Sequence, residues 1–190
     1  MHLYMPQVRS GNPLHTEVSI MTTETEKKPC MKAEPQKEHK WLHKMIGEWT
    51  MEGECLMGPD QPPQKSTGRE TIRALGDIWI VAEGEMTSPD GDVGQTMMTL
   101  GFDPRKKKFV GNWIGSMMTH MWVYEGELDS AMKVLPLDTV GPDFVKEGKE
   151  AKYQDIHEIV NDDHRILKSQ VQGEDGKWIQ FMTAHYKRKT

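Results

Sequence analysis

The chain has 190 residues, of which 36% are hydrophobic and 28% charged. That suffices for one domain burying about 70% of its unfolded surface without help from a metal or disulfide. A formal net charge of -5 argues against a nucleic-acid module, which needs a basic face, and apolar runs no longer than Ile78–Ala82 exclude a transmembrane helix.

Residues 1–36 contain Pro6, Pro13, Pro29, Pro35 and the polar run Thr22–Lys28, with no Trp. Such a stretch buries too little to offset its ordering entropy, so a disordered tail is expected ahead of a single domain over residues 37–190. Met21, followed by two threonines, is an alternative start. The opening Met1-His2-Leu3-Tyr4-Met5-Pro6 lacks the basic start and apolar core of a secretory signal. Cys30 and Cys55 are too few for a disulfide framework or a zinc knuckle, so a cytoplasmic protein with reduced thiols is the expectation.

Over 38–46, Trp41, Leu42, Met45 and Ile46 form one apolar stripe of a short helix, which Gly47 ends. The period then changes to two: Trp49, Met51, Gly53 and Cys55 alternate with Thr50, Glu52 and Glu54. Similar segments follow, separated by turn residues such as Ser88-Pro89-Asp90-Gly91 and Gly173-Glu174-Asp175-Gly176. Ten strands are predicted, near 48–57, 66–75, 77–87, 93–102, 108–117, 120–128, 132–138, 150–160, 164–172 and 177–188. Connections this short exclude parallel crossovers, so an all-β antiparallel meander follows. Closing it into a barrel removes both exposed edges; a sandwich is the competing arrangement.

Several motifs carry a resemblance: His39-Lys40-Trp41-Leu42, Gly47-Glu48-Trp49, Leu75-Gly76-Asp77-Ile78-Trp79, Leu100-Gly101-Phe102-Asp103, Gly111-Asn112-Trp113, Trp122-Val123-Tyr124-Glu125-Gly126 and Tyr153-Gln154-Asp155-Ile156. Together they resemble the bacterial domain-of-unknown-function family 1579, over roughly 37–189. The helix followed by Gly47-Glu48-Trp49 is similar to the opening of the calycin barrels, which include lipocalins and fatty-acid-binding proteins. The resemblance implies a lipocalin-like barrel of about ten strands preceded by a short helix, and no reaction. It also implies that Arg188, near Tyr186, packs across Trp49 to close one end.

Fifteen methionines include the pairs Met97-Met98 and Met117-Met118, and one member of each pair must face inward on a strand. Methionine either fills an irregular core or lines a cavity for varied apolar ligands. Met98, Trp113, Met117, Trp122 and Tyr124 are the lining candidates for a small apolar or amphipathic ligand. His120, Trp122, Tyr124 and Leu128 share a mostly aromatic face that is expected to point inward, with a backbone group satisfying His120.

Tyr153, Asp155 and His157 share one face of the 150–160 strand. Inward, they would orient a ligand or act as an acid–base strip for an enzyme. Ile156 and Val160 favour the opposite face for the core, so the outward reading of the trio is the expected one. His185 shares a face with Ile179, Phe181 and Thr183; in the related nitrobindins a histidine binds haem inside a small barrel, which makes a haem site the cofactor alternative. No metal site is expected, since His39 and His43 lack a nearby third ligand and read as solvent-facing helix residues. Nucleophile, phosphate-loop and dinucleotide motifs are missing. A binding barrel, an enzyme using the same cavity, and a filled barrel that self-associates through an outer face are the three readings. Neither a nucleic acid nor a membrane is an expected partner.

Overall fold

The computed structural model describes residues 33–56, 58 and 61–189. The tail expected over 1–36, apart from its last four residues, lies outside them, as do Met21 and Cys30. The elements are α1 (Lys37–His43), β1 (Gly47–Cys55), β2 (Gln64–Leu75), β3 (Trp79–Thr87), β4 (Val93–Asp103) and β5 (Lys108–Gly115), then β6 (Trp122–Gly126), β7 (Val134–Pro142), β8 (Glu150–Asn161), β9 (His164–Gln172) and β10 (Trp178–Arg188). Each strand pairs antiparallel with its sequence neighbour, and β1 pairs with β10 to close the barrel. The closing ladder runs from Trp49 opposite Arg188 to Cys55 opposite Met182. Closure is what leaves no strand edge bare, so the barrel and not the sandwich is the solution this meander adopts.

Alternation places Trp49, Met51 and Gly53 of β1 inside and Thr50, Glu52 and Glu54 outside. One end is packed solid beneath α1. Trp41, Leu42 and Met45 meet Trp49, Ile72, Ile80, Leu100, Phe109, Leu135 and Leu137 there, each no more than 2% exposed. Each such side chain contributes about 1.5–3 kcal/mol by leaving water. The buried indoles keep their hydrogen bonds: Trp41 Nε1 donates to the Met132 carbonyl at 2.9 Å and Trp49 Nε1 to the Met45 carbonyl at 2.8 Å.

Arg188 closes this end as the resemblance implied, its guanidinium 4.2 Å from the Trp49 ring centroid. It also donates to three backbone carbonyls, Ile46 at 2.6 Å, Asp162 at 2.7 Å and Lys44 at 3.0 Å. This explains the glycine of the Gly47-Glu48-Trp49 motif: Gly47 sits at φ 137°, and a Cβ there would run into Arg188 Nη1.

Three sequence expectations need correction. The helix stops at His43, where the amides of Lys44, Met45 and Ile46 bond the carbonyls three residues back, at Trp41, Leu42 and His43, in a tighter turn that leads into β1. His39 faces the core and is 2% exposed: its Nδ1 accepts from the Gln36 amide at 2.8 Å, and its Nε2 lies 3.2 Å from the Phe102 carbonyl oxygen. His43 is partly buried with Nε2 lacking a partner, so neither histidine is a solvent-facing one. Finally β6 is shorter and β7 longer than predicted, and only Glu125 with Asp138 and Gly126 with Leu137 join them, against nine pairs between β7 and β8. Pro136 lacks the N–H that a longer β6–β7 ladder would use. No helix among the described residues is long and apolar enough to cross a membrane.

Candidate ligand-binding site

The barrel end opposite α1 is ringed by inward or mouth-facing apolar side chains that keep some accessible surface. Met86, Trp113, Met118, Phe181 and Met182 all pack partly buried against the core there. Trp122 and Tyr153 lie just inside, 8% and 5% exposed, with ring centroids 5.0 Å apart and edge to face. Phe144, exposed on the loop after β7, reaches both rings at 6.4 and 6.0 Å. Trp122 Nε1 donates to Met118 Sδ at 3.1 Å, which holds the indole at the rim.

Deeper, the inner faces of β2, β6, β8, β9 and β10 bring polar groups together. Arg165 is ion-paired with Glu70, and its guanidinium lies 3.7 Å from the Tyr186 ring centroid and 5.0 Å from that of Trp49. Arg165 Nε is buried without a partner. On the neighbouring strand, Asp155 accepts from the Tyr124 hydroxyl at 2.5 Å and from the Ser169 hydroxyl. His157 is buried beside Asp155 on the same inner face, and its Nδ1 has no partner. Thr139 Oγ1 is likewise buried and unpartnered.

Burial sets the charge states. It pushes the Asp155 carboxyl above the ordinary carboxylate range, against the downward pull of the Ser169 and Tyr124 hydroxyls. It pushes the His157 imidazole down to about 3, helped by the nearby Arg165 charge, so that histidine is neutral at physiological pH. The Tyr124 phenol moves well up through burial and then the Asp155 charge, and that of Tyr186 rises for the same first reason, with Glu70 adding to it.

Of the lining candidates, Met98, Trp113, Trp122 and Tyr124 stand inside; Met98 lies opposite Trp113, and Trp113 opposite Trp122, in register. Met117 does not: it sits in the turn after β5, 48% exposed, and Met118 is the member of its pair that packs on the core. His120 precedes β6 and so leaves the alternation expected to carry it inward. It rests edge-on against Trp122 at 4.9 Å, with Nε2 3.2 Å from the Val140 carbonyl oxygen, the backbone partner anticipated for it.

Tyr153, Asp155 and His157 face inward, contrary to the preferred outward reading, while Ile156 and Val160 face outward, Val160 being 42% exposed. The lumen holds polar groups here, so apolarity does not mark the inner face. Tyr153 caps the strip near the rim, its hydroxyl donating to the Pro142 carbonyl at 2.7 Å. His185 is on the outer face, exposed, with Nδ1 3.1 Å from His164 Nε2, and Ile179 is 56% exposed. Of the residues named for a haem site, His185 and Ile179 thus face outward, whereas Phe181, at the register shift between Gln180 and Met182, packs against the core. An open concavity of about 840 Å³ is lined by outer-face residues, including Arg69, Glu83, Glu85, Gln95, Met97 and Ile114, and reaches the rim residue Met118 and His120. Among the described residues no cluster of three or more metal-ligating side chains forms.

Glu70, Arg165 and Ser169 were not foreseen. Arg165 and Ser169 alternate with Leu167 and Val171 on β9, a face with no hydrophobic signature, and Glu70 lies 95 residues before its partner.

No curated protein sequence matches the chain significantly. Among solved structures, it is similar to the S-type phycobiliprotein lyase CPES from Guillardia theta, at 14% identity over 82% of this chain and 99% of that one, with a TM-score of 0.56. It is also similar to Rv2717c from M. tuberculosis, at 13% identity over 83% of this chain and all of that one, again with a TM-score of 0.56. At such identities the likeness is one of fold, a barrel like that described above. Residues 34–188 match the family described as "Protein of unknown function (DUF1579)", and the chain belongs to that family.

Proposed function

We propose that the barrel binds a small amphipathic molecule in its lumen. The observation that carries this is the layering of the inner wall: a methionine and aromatic rim lies above polar groups that include buried atoms of His157 and Arg165 without a partner. Burying the ligand's apolar body at the rim supplies about 25 cal/mol for each Å² removed from water, and the polar layer fixes its orientation. Flexible methionines allow the rim to fit ligands of differing shape. The similar S-type phycobiliprotein lyase supports the reading only as far as its fold goes.

Native against denaturing mass spectrometry of the purified protein tests this. A bound mass that is lost on unfolding, and lost again when Trp113 and Met118 are both replaced by Ala in a folded protein, is the expected result. An empty barrel that also fails to take up any apolar probe overturns it.

A second reading, an enzyme using the same lumen, is favoured by the inward placement of Asp155, which accepts from the Tyr124 and Ser169 hydroxyls, and of His157 two residues further along the same face. It requires a folded His157→Ala variant that binds ligand but no longer turns it over.

A further inference from the structure

The lumen is electrically uneven in one respect. Among the described residues its one fully buried cation, Arg165, already has a countercharge in Glu70. Asp155 has no such partner: among the described residues no cation pairs with it, and its two oxygens hold only the neutral hydroxyls of Tyr124 and Ser169. The neighbouring imidazole, His157, is 5% exposed with Nδ1 unpartnered. A buried carboxylate without a cation is costly, as its pKa displacement by burial also shows. The rim above it is aromatic, with Trp122 and Tyr153 in edge-to-face contact and Trp113 opposite Trp122. Aromatic ring faces carry negative charge density and attract cations, whereas they repel anions.

We propose that the polar group this lumen accepts is a basic nitrogen: the ligand is an apolar amine, protonated, that donates one N–H to Asp155 and another to His157 Nδ1. The inference rests on the lumen-binding reading above. It sets this barrel apart from one that anchors a carboxylate on an unpaired arginine, because Glu70 already meets the charge of Arg165 and leaves only its Nε without a partner. An entering carboxylate would meet the Asp155 charge and displace no unfavourable one.

Decylamine, decanol and decanoate share a tail and differ in head group, and titration of each at pH 7 below its micellar concentration, read by Trp fluorescence and calorimetry, is the test. Decylamine should bind at least about tenfold tighter than decanol, the scale of one close charge pair, and decanoate weakest. Asp155→Asn should bring the amine down to the affinity of the alcohol; the wild-type ranking stands as a test even where that variant does not fold. Equal binding of all three, or decanoate binding tightest, overturns the amine assignment while leaving the lumen reading intact. Binding of none of them overturns the lumen reading and this inference with it.

Discussion

Replacing Glu70 with Gln keeps the shape of the side chain and removes the countercharge of Arg165. The Arg165 side chain is 3% exposed and that of Glu70 14%, so the pair is shielded from water on both sides. Breaking a buried pair from one side costs about 3–5 kcal/mol, because a charge is left uncompensated. The Tyr186 and Trp49 rings still flank the guanidinium, at 3.7 and 5.0 Å, and place the expected cost near the lower end, about 3 kcal/mol. For a domain of this size that corresponds to a fall in Tm of roughly 6–12 °C. Arg165→Met strands Glu70 instead, and the double variant removes both charges. Urea unfolding followed by Trp fluorescence, with calorimetry for Tm, should show the double variant less destabilised than the sum of the two singles by at least about 1 kcal/mol. A Glu70→Gln cost below about 1 kcal/mol, with additive singles, would match an exposed pair and refute the reasoning.

His157 stays neutral in the fold, its pKa pushed down to about 3, whereas in the unfolded chain it takes up a proton near pH 6.5. Unfolding therefore binds a proton between those values, so its contribution is complete above pH 6.5 and is lost as pH falls toward 3, at up to about 1.4 kcal/mol per pH unit. Asp155, raised by burial, contributes with the opposite sign in both proteins, so the urea midpoint of His157→Leu should vary less steeply than that of wild type between pH 6 and 4. Parallel slopes would mean that the imidazole is hydrated. Arg188→Ala should cost about 2–3 kcal/mol, since it strands the carbonyls of Lys44, Ile46 and Asp162 and uncovers Trp49. Arg188→Lys should rescue little of it, because an ammonium cannot reproduce the guanidinium fork, and full rescue measured by Tm would contradict that role.

The strand count and the meander were legible because most strands have one wet and one dry face, as in Trp49, Met51 and Gly53 against Thr50, Glu52 and Glu54. The Arg188 closure was legible through the motif around Trp49. The site was not. On β8 the inner set is Tyr153, Asp155, His157 and Ile159, and the outer set includes Ile156 and Val160, so hydrophobicity points to the wrong face. A one-residue phase choice reverses every assignment, and only the neighbouring strands decide it: Asp155 lies opposite Ser169 and Leu137, His157 opposite Leu167 and Leu135. The Glu70–Arg165 pair depends on the β1–β10 closure that brings β2 within reach of β9, a relation no local window contains. Met117 was misplaced because β5 ends at Gly115, and His120 because β6 begins only at Trp122, so both lie where the chain has left the alternation.

The two-pair junction of β6 and β7 changes what kind of ring this is. Cut there, the molecule unrolls into one continuous ten-strand sheet with every other ladder intact. Above Glu125 the junction is held by side chains, with Trp122 and His120 packed over Gly141, where a Cβ would strike the indole. The barrel is thus a rolled sheet with a latch, and the latch is made of the same tryptophan that forms the rim. Amide exchange should begin along this seam, and whatever occupies the rim against Trp122 also tightens the latch.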